Sequence, residues 1–209
     1  ARPPYDGLVT SEVTNNDGTT IGGIELQAAW QINESFTLRG FYNWLDASIG
    51  DFEAIYPYEI PGVVAPWQQL TWTDAQGNPG SQWIRDQTLE YGGNQLPNQP
   101  EHKASLTLAY ETSLPGNLGG LEVLTIFSYT GKKYVELGNI DAYAIDPYKR
   151  WDIRTSWRSV NQKYTVTLFV QNALDQAGLM MWSPREGTGS PLGTVAEPRE
   201  IGLTITWRY

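Results

Sequence analysis

The chain has no cysteine and a single histidine, His102. Without thiols there is neither a disulfide framework nor a thiolate metal site, and one imidazole argues against a zinc site. Neither metal nor cofactor is expected. Long hydrophobic runs are missing too: nothing approaches the roughly 18 apolar residues of a membrane helix. A membrane-spanning β-strand would show no such run either, because only every second residue faces lipid. Basic residues are few, 14 against 23 acidic ones, for a net charge of −9 and a pI near 4.6. Nucleic-acid binding wants a basic face, so that partner is excluded. Nucleophile elbows, phosphate-binding glycine loops and Ca²⁺ loops are absent, and no catalytic residue is assigned. Helical periodicity is absent as well, which leaves an all-β chain.

Phenylalanine is scarce, five residues against 9 Trp and 12 Tyr. Trp and Tyr join an apolar body to a polar handle and suit a membrane–water boundary. Soluble carbohydrate-binding sandwiches are also rich in Trp. With 40% hydrophobic residues, 18% charged and a mean hydropathy of −0.40, composition alone does not choose between them.

Patterning does more. In the last nine residues Ile201, Leu203, Ile205, Trp207 and Tyr209 alternate with Gly202, Thr204, Thr206 and Arg208. Successive strand side chains point to opposite faces, so this is a ribbon with one apolar and one polar side. An ending of this kind, with aromatics at its tip, suits the strand that closes an outer-membrane barrel. The same alternation runs from Ile24 to Ile32, Phe36 to Trp44, Lys103 to Glu111, Trp151 to Arg158 and Tyr164 to Gln171. Leu121 to Tyr134 is β-rich but mixed. Seven strands follow, and Pro4 to Asn15 offers an eighth.

The connections alternate strictly. Asn33 to Ser35, Leu114 to Gly120 and Asn161-Gln162 are short, whereas 52–100, 135–148 and 177–197 are long. Short turns on one rim and long loops on the other are the asymmetry of a membrane barrel. Aromatics gather at both strand ends: Trp30, Phe36, Tyr110, Trp157, Tyr164, Trp207 and Tyr209 toward the short turns, and Tyr42, Trp44, Tyr129, Tyr134, Tyr148 and Trp151 toward the long loops. The expected fold is all-β: antiparallel transmembrane β-barrel strands, about seven or eight of them.

Six short stretches carry a family likeness: Gly23-Ile24-Glu25-Leu26, Tyr42 to Ala47, Leu96 to Lys103, Tyr129 to Tyr134, Val170 to Asp175 and Glu197-Pro198-Arg199. In this order the chain resembles the C-terminal barrel part of TonB-dependent outer-membrane receptors, from about Thr19 to Tyr209. The resemblance implies energy-coupled import of a scarce solute across the Gram-negative outer membrane and no enzymatic chemistry. It also implies a plug domain and a TonB-engaging segment, neither of which is in this sequence. Because the sequence starts at Ala1 without an initiator Met, residues 1–209 are expected to be one piece of something longer. Its partners would then be membrane lipid, the remaining barrel and plug, TonB and a small solute.

Candidate ligand contacts sit in the long loops. Trp67, Trp72, Trp83 and Arg85 in 52–100, with Trp182 and Arg185 in 177–197, join stacking surfaces to cationic groups that would orient a solute. Equally, these Trp residues could simply pack the loops onto themselves. Asp74 and Asp86 form a carboxylate pair without the fixed spacing of a glycosidase. The inward charges Glu25, Arg39, Lys103, Glu111, Asp152, Arg154 and Arg208 are expected to pair across a polar lumen. Two other readings stay open: a free-standing barrel of about eight strands, curved with the help of Gly22, Gly23, Gly40 and Gly202 and serving as a passive porin or anchor, and a soluble Trp-rich glycan-binding sandwich.

Overall fold

The computed structural model describes residues 18–56, 60, 62–64, 66–73, 76–85, 88–183 and 192–209. The proposed strand from Pro4 to Asn15 lies outside them. The strands in chain order are β1 (Thr20–Gln31), β2 (Phe36–Ser48), β3 (Glu53–Ile55), β4 (Trp67–Thr73), β5 (Pro79–Arg85), β6 (Thr88–Glu90) and β7 (His102–Ser113). They continue with β8 (Gly120–Thr130), β9 (Tyr148–Arg158), β10 (Tyr164–Gln171), β11 (Leu179–Ser183), β12 (Leu192–Val195) and β13 (Glu200–Trp207).

Seven of these form one antiparallel sheet in the order β1-β2-β7-β8-β9-β10-β13. Each long strand pairs with the next, so the sheet is a meander. The remaining strands are short hairpins inside the long connections: β3 with β6, β4 with β5 and β11 with β12. β1 and β13 do not pair with one another, so the described sheet is open rather than a closed small barrel.

Register explains the alternation. Across the sheet, Leu26, Tyr42, Ala104 and Tyr129 share one row, and Val166 and Ile205 another, all on one face. The opposite face carries rows such as Gln27-Phe41-Ser105-Ser128-Arg150. Nothing in the described structure covers the apolar face: Leu168 is 50% exposed, Leu203 61% and Ile205 66%. A soluble sandwich would bury that face beneath a second sheet. The mixed pattern of β8 also resolves, since Leu124 and Ile126 sit on the otherwise polar face, beside Arg154 and Asp152.

Short turns close one rim through local side-chain bonds. Asn33 Oδ1 accepts from the backbone N–H groups of Ser35 at 2.9 Å and Phe36 at 3.0 Å. Asn161 Oδ1 accepts from Lys163 N at 3.1 Å, while Gln162 takes φ 56°. The aromatic band at this rim holds outward pairs: the Phe36 and Tyr110 rings lie 4.6 Å apart, and Trp207 and Tyr209 4.5 Å. The terminal strand is shorter than expected. It ends at Trp207, with one further bond from Arg208 N to Lys163 O at 2.9 Å, and Tyr209 lies beyond it, 99% exposed. At the other rim, two expected girdle members are corrected. Tyr148 points to the polar face and is buried, and Tyr134 stands past β8 in the loop.

Among the described residues, the buried apolar ones are Ala47, Ile49, Tyr56, Tyr91, Ile145 and Tyr148. All of them gather at the long-loop rim. The sheet keeps no core of its own, as expected where lipid covers one side and a lumen the other.

Candidate functional site

The long-loop rim is where this chain builds non-repetitive, side-chain-bonded structure. The first long connection, 49–101, returns alongside the end of β2. Ile49 N donates to Asn94 O at 2.8 Å, and Leu96 N donates to Ala47 O at 3.0 Å. Inside it, Ile49, Tyr56 and Tyr91 form a small cluster flanked by Phe52, Leu89 and Ile140, with the Phe52 and Tyr91 rings 5.2 Å apart. A loop of this length needs such a core to hold a shape.

The second connection, 131–147, is tied to the first. Asn139 Oδ1 accepts from Gln95 N at 2.7 Å and its Nδ2 donates to Gln95 O at 2.9 Å. One side chain thus completes both backbone groups of a residue 44 positions away, in the manner of a neighbouring strand. Asn94 Nδ2 adds a bond to Leu137 O at 2.9 Å, and Asn98 N donates to Tyr134 O at 2.7 Å. Beneath this tie Glu136 is nearly buried. Its carboxylate accepts from Gly138 N at 2.5 Å and Ile140 N at 2.9 Å. Burial pushes the Tyr56 hydroxyl well above the usual tyrosine range, and the Glu136 carboxylate beside it pushes further the same way. Tyr56 is therefore a neutral hydroxyl beside the Glu136 carboxyl group.

The surface of this second loop carries a tighter polar group. Lys132 Nζ meets Asp141 Oδ1 at 2.6 Å, Tyr134 donates to the same oxygen at 3.1 Å, and Nζ lies 4.8 Å from the Tyr134 ring centre. The Lys132 bond, then that of Tyr134, holds the Asp141 carboxyl below its usual range. The same bond to Asp141 raises Lys132. Lys133 points another way, donating to Met180 O at 3.0 Å, and burial lowers it.

The third connection, 172–199, is closed by Asn172 and Asp175. Asn172, 1% exposed, donates through Nδ2 to Glu197 O at 2.9 Å and to Gln176 O at 3.2 Å. Asp175 accepts from Arg199 N at 3.0 Å and faces its guanidinium at 3.4 Å. Both residues hold positive φ, 46° and 52°, which Asn and Asp tolerate better than other non-glycine residues. Asp152 reaches in from β9 to accept from Asn172 N at 2.8 Å and pairs with Arg150 at 2.8 Å.

Of the predicted ligand residues, the described ones stand in the first and third connections. Trp67 and Trp83 share a face of the β4–β5 hairpin, where Trp67 pairs with Arg85 and Gln69 with Trp83. Trp83 is exposed and Trp67 partly so; Gln69, opposite Trp83, donates to Ser81 Oγ at 3.2 Å. Trp72 pairs through its backbone with Gly80. The Trp72 and Arg85 side chains, Asp74, Asp86 and Arg185 lie outside what is described. Trp182 packs instead on Tyr143 of the second loop, ring centres 6.1 Å apart. That contact is the packing reading of this residue.

Pairing across a lumen needs a wall opposite the open seven-stranded sheet, so only pairing within the sheet and its loops can be described. Among the described residues ion pairs are Lys132–Asp141, Arg150–Asp152 and Arg199–Asp175. Asp152 is the one predicted inward charge to gain a partner, and that partner is on its own strand. Register gives the reason: Arg39 stands between Ala29 and Thr107, and Arg154 between Leu124 and Phe169, all uncharged. Tyr56, Glu136 and Asn139 were missed by sequence reasoning, which had no signal for them beyond an Asn in a long loop.

Comparison with known proteins agrees with this geometry. Residues 2–173 match the family model described as TonB dependent receptor-like, beta-barrel. The structure is similar to the ferric yersiniabactin uptake receptor FyuA of Yersinia pestis, with TM-score 0.62 and 16% identity over 90% of this chain and 23% of that one. It is similar to the siderophore receptor PiuA of Acinetobacter baumannii, with TM-score 0.59 and 23% identity over 91% of this chain and 22% of that one. A third match is BauA, the ferric preacinetobactin receptor of Acinetobacter baumannii, with TM-score 0.55 and 17% identity, covering 90% and 22%. At these identities the likeness is one of fold. The chain spans less than a quarter of the length of each structure.

Proposed function

Because this chain belongs to the TonB-dependent receptor β-barrel family, we propose that it is the C-terminal wall of an outer-membrane importer that captures a scarce solute at the surface of a Gram-negative cell. The observation that carries the reading is the division of labour in the sheet. One face is mainly apolar and the other mainly polar, and every long connection rises from the same rim, where Asn139, Asn172 and Glu136 bond to loop backbone. Transport receptors need such a wall, and a passive anchor has no use for tied external loops.

In this reading the solute meets the hairpin face of Trp67 and Trp83, together with Arg85 and Arg185, while Trp182 packs the third loop against Tyr143. Stacking on indole and charge from guanidinium would orient it. The inward groups Arg39, Arg154 and Glu111, which have no ion partner among the described residues, face a plug domain supplied by the rest of the protein. Energy for release comes from the inner membrane through TonB, and no covalent step is involved. The similar structures are receptors for ferric yersiniabactin, a siderophore and ferric preacinetobactin, so a metal chelate is the first solute to test.

The test is uptake by cells carrying the intact protein, with and without TonB, and with residues 62–85 deleted. Uptake should require TonB and be abolished by the deletion, while heat-modifiable protein still reaches the outer membrane. Uptake that persists without TonB would overturn energy coupling. Uptake at the normal rate after the deletion would remove the hairpin from the site.

A further inference from the structure

The apolar face is not uniformly filled. Ala28 of β1 pairs with Gly40 of β2, and Ala104 of β7 lies diagonally beyond, so small residues meet where their neighbours are large. The result is a notch of about 560 Å³, bounded by Leu26, Leu106 and Phe127 and by Tyr42 toward the long-loop rim. That volume falls within the roughly 300–1,000 Å³ of small-molecule pockets.

Gly40 has no local reason to be glycine. A Cβ built there would meet only Leu106 Cδ1, at 3.9 Å, which is ordinary contact. At Gly23 and Gly202, by contrast, a Cβ would collide with Trp44 O at 2.5 Å or with the Phe169 ring. Glycine in a strand interior weakens it by leaving nothing to pack. What the glycine does here is open the notch.

We propose that this notch is a binding site for one acyl chain of a membrane lipid, held there more firmly than the lipid around the rest of the wall. The proposal rests on the outer-membrane reading and adds to it a bound lipid. The occupant follows from position. The notch opens on the outward face, about four residues along β2 from Phe36 at one aromatic band and from Trp44 at the other, so near mid-membrane only hydrocarbon or another membrane protein reaches it. Its wall side chains carry no charge, and the polar handles of Tyr42 and His102 satisfy each other at 3.0 Å. A flexible chain can fill an open, unkeyed depression that a rigid surface would bridge. In lipid the gain is dispersion contact along the notch rather than transfer from water, since a void there would forfeit partner atoms on one side.

The experiment uses the intact protein in vesicles of phosphatidylethanolamine with a mid-chain diazirine, and maps the photolabel by peptide mass spectrometry. Label should concentrate on peptides holding Ala28, Gly40 and Ala104, in clear excess over the wall at Leu168, Leu203 and Ile205. Gly40→Leu, which fills the notch, and Ala28→Leu, which fills it from β1, should each bring the labelling down to that of the second wall. Equal labelling of both walls in the unaltered protein would overturn the site, as would labelling that ignores both substitutions. Crosslinking of the notch to a second protein in place of lipid would also overturn it. Failure to enter vesicles at all, with no label anywhere, would instead sink the membrane reading.

Discussion

Phe169 lies over the backbone of Gly202 across the β10–β13 pair, where the two residues stand opposite each other in register. A Cβ on Gly202 would fall 2.6 Å from Phe169 Cε1, so the ring occupies the space a side chain would need. Covering a strand glycine with an aromatic ring restores the contact that the missing side chain gives up. Gly202→Ala should drive the ring off and destabilise the pair by about 1–3 kcal/mol, the usual cost of overpacking. Gly22→Ala, with nothing within 4 Å, should stay within about 0.5 kcal/mol. Urea titration of the protein folded into vesicles compares them, and equal effects would show that the ring is not seated on the glycine.

The two faces of the sheet differ in what they tolerate. Leu106→Arg and Leu203→Arg place a guanidinium toward lipid and should cost about 2–4 kcal/mol near mid-membrane, whereas Thr107→Arg and Thr204→Arg on the polar face should cost less. The same titration reads all four. Indistinguishable penalties would mean the faces are assigned wrongly.

Asn139 holds φ 53° and two bonds to Gln95. Asn139→Gly keeps the backbone freedom and removes the bonds, so it isolates the tie. We expect amide exchange of 94–99 and 136–140 to accelerate by about ten- to a hundredfold, the loss of about 1–3 kcal/mol of local stability. Exchange in β7 and β8 should not change. Unaltered protection of 94–99 would show that the apolar cluster alone holds the two loops together.

The Lys132–Asp141 pair sets a pH window. Asp141 is depressed in the folded loop, so its contribution is present above the ordinary aspartate value of about 3.9 and disappears as pH falls through its lower folded value. Lys132 is raised, so its contribution is complete below the ordinary lysine value of about 10.4 and fades as pH climbs through its higher folded value. Between these limits the contribution of the pair should be insensitive to pH. Carboxyl chemical shifts of Asp141 give the titration directly. Asp141→Asn should erase the acid transition, and an ordinary aspartate midpoint in the unaltered protein would refute the pairing.

Much of the sheet was legible because period two and register say the same thing. Once Ile24, Leu26 and Trp30 face out, pairing carries that choice across to Ile205 and Trp207. Strand ends were less clear. Tyr134 looks like a continuation of β8, but the chain leaves the sheet at Thr130 and Tyr134 turns to Lys132 and Asp141. The loops were the least readable, for a physical reason: their order comes from single side chains bonding to distant backbone. Leu96 to Lys103, Val170 to Asp175 and Glu197 to Arg199 were visible only as family-like spellings. Their roles, as Gln95's neighbour and as the Asn172–Glu197 and Asp175–Arg199 closures, depend on contacts 24 or more residues apart, which no local pattern encodes.

The bond pair between Asn139 and Gln95 has a consequence for the strands below it. The first loop joins β2 to β7 and the second joins β8 to β9, so the tie bridges the top of the β7–β8 ladder. A ladder of alternating residues can slip by one position and keep most of its backbone bonds, but every side chain then changes face. For β8 that slip would turn Glu122 and Ser128 toward hydrocarbon and bring Phe127 and Tyr129 inward. It would also carry Gln95 out of reach of Asn139. The loops therefore act as a vernier on the wall: only the alignment that puts the right residues into lipid lets the rim latch.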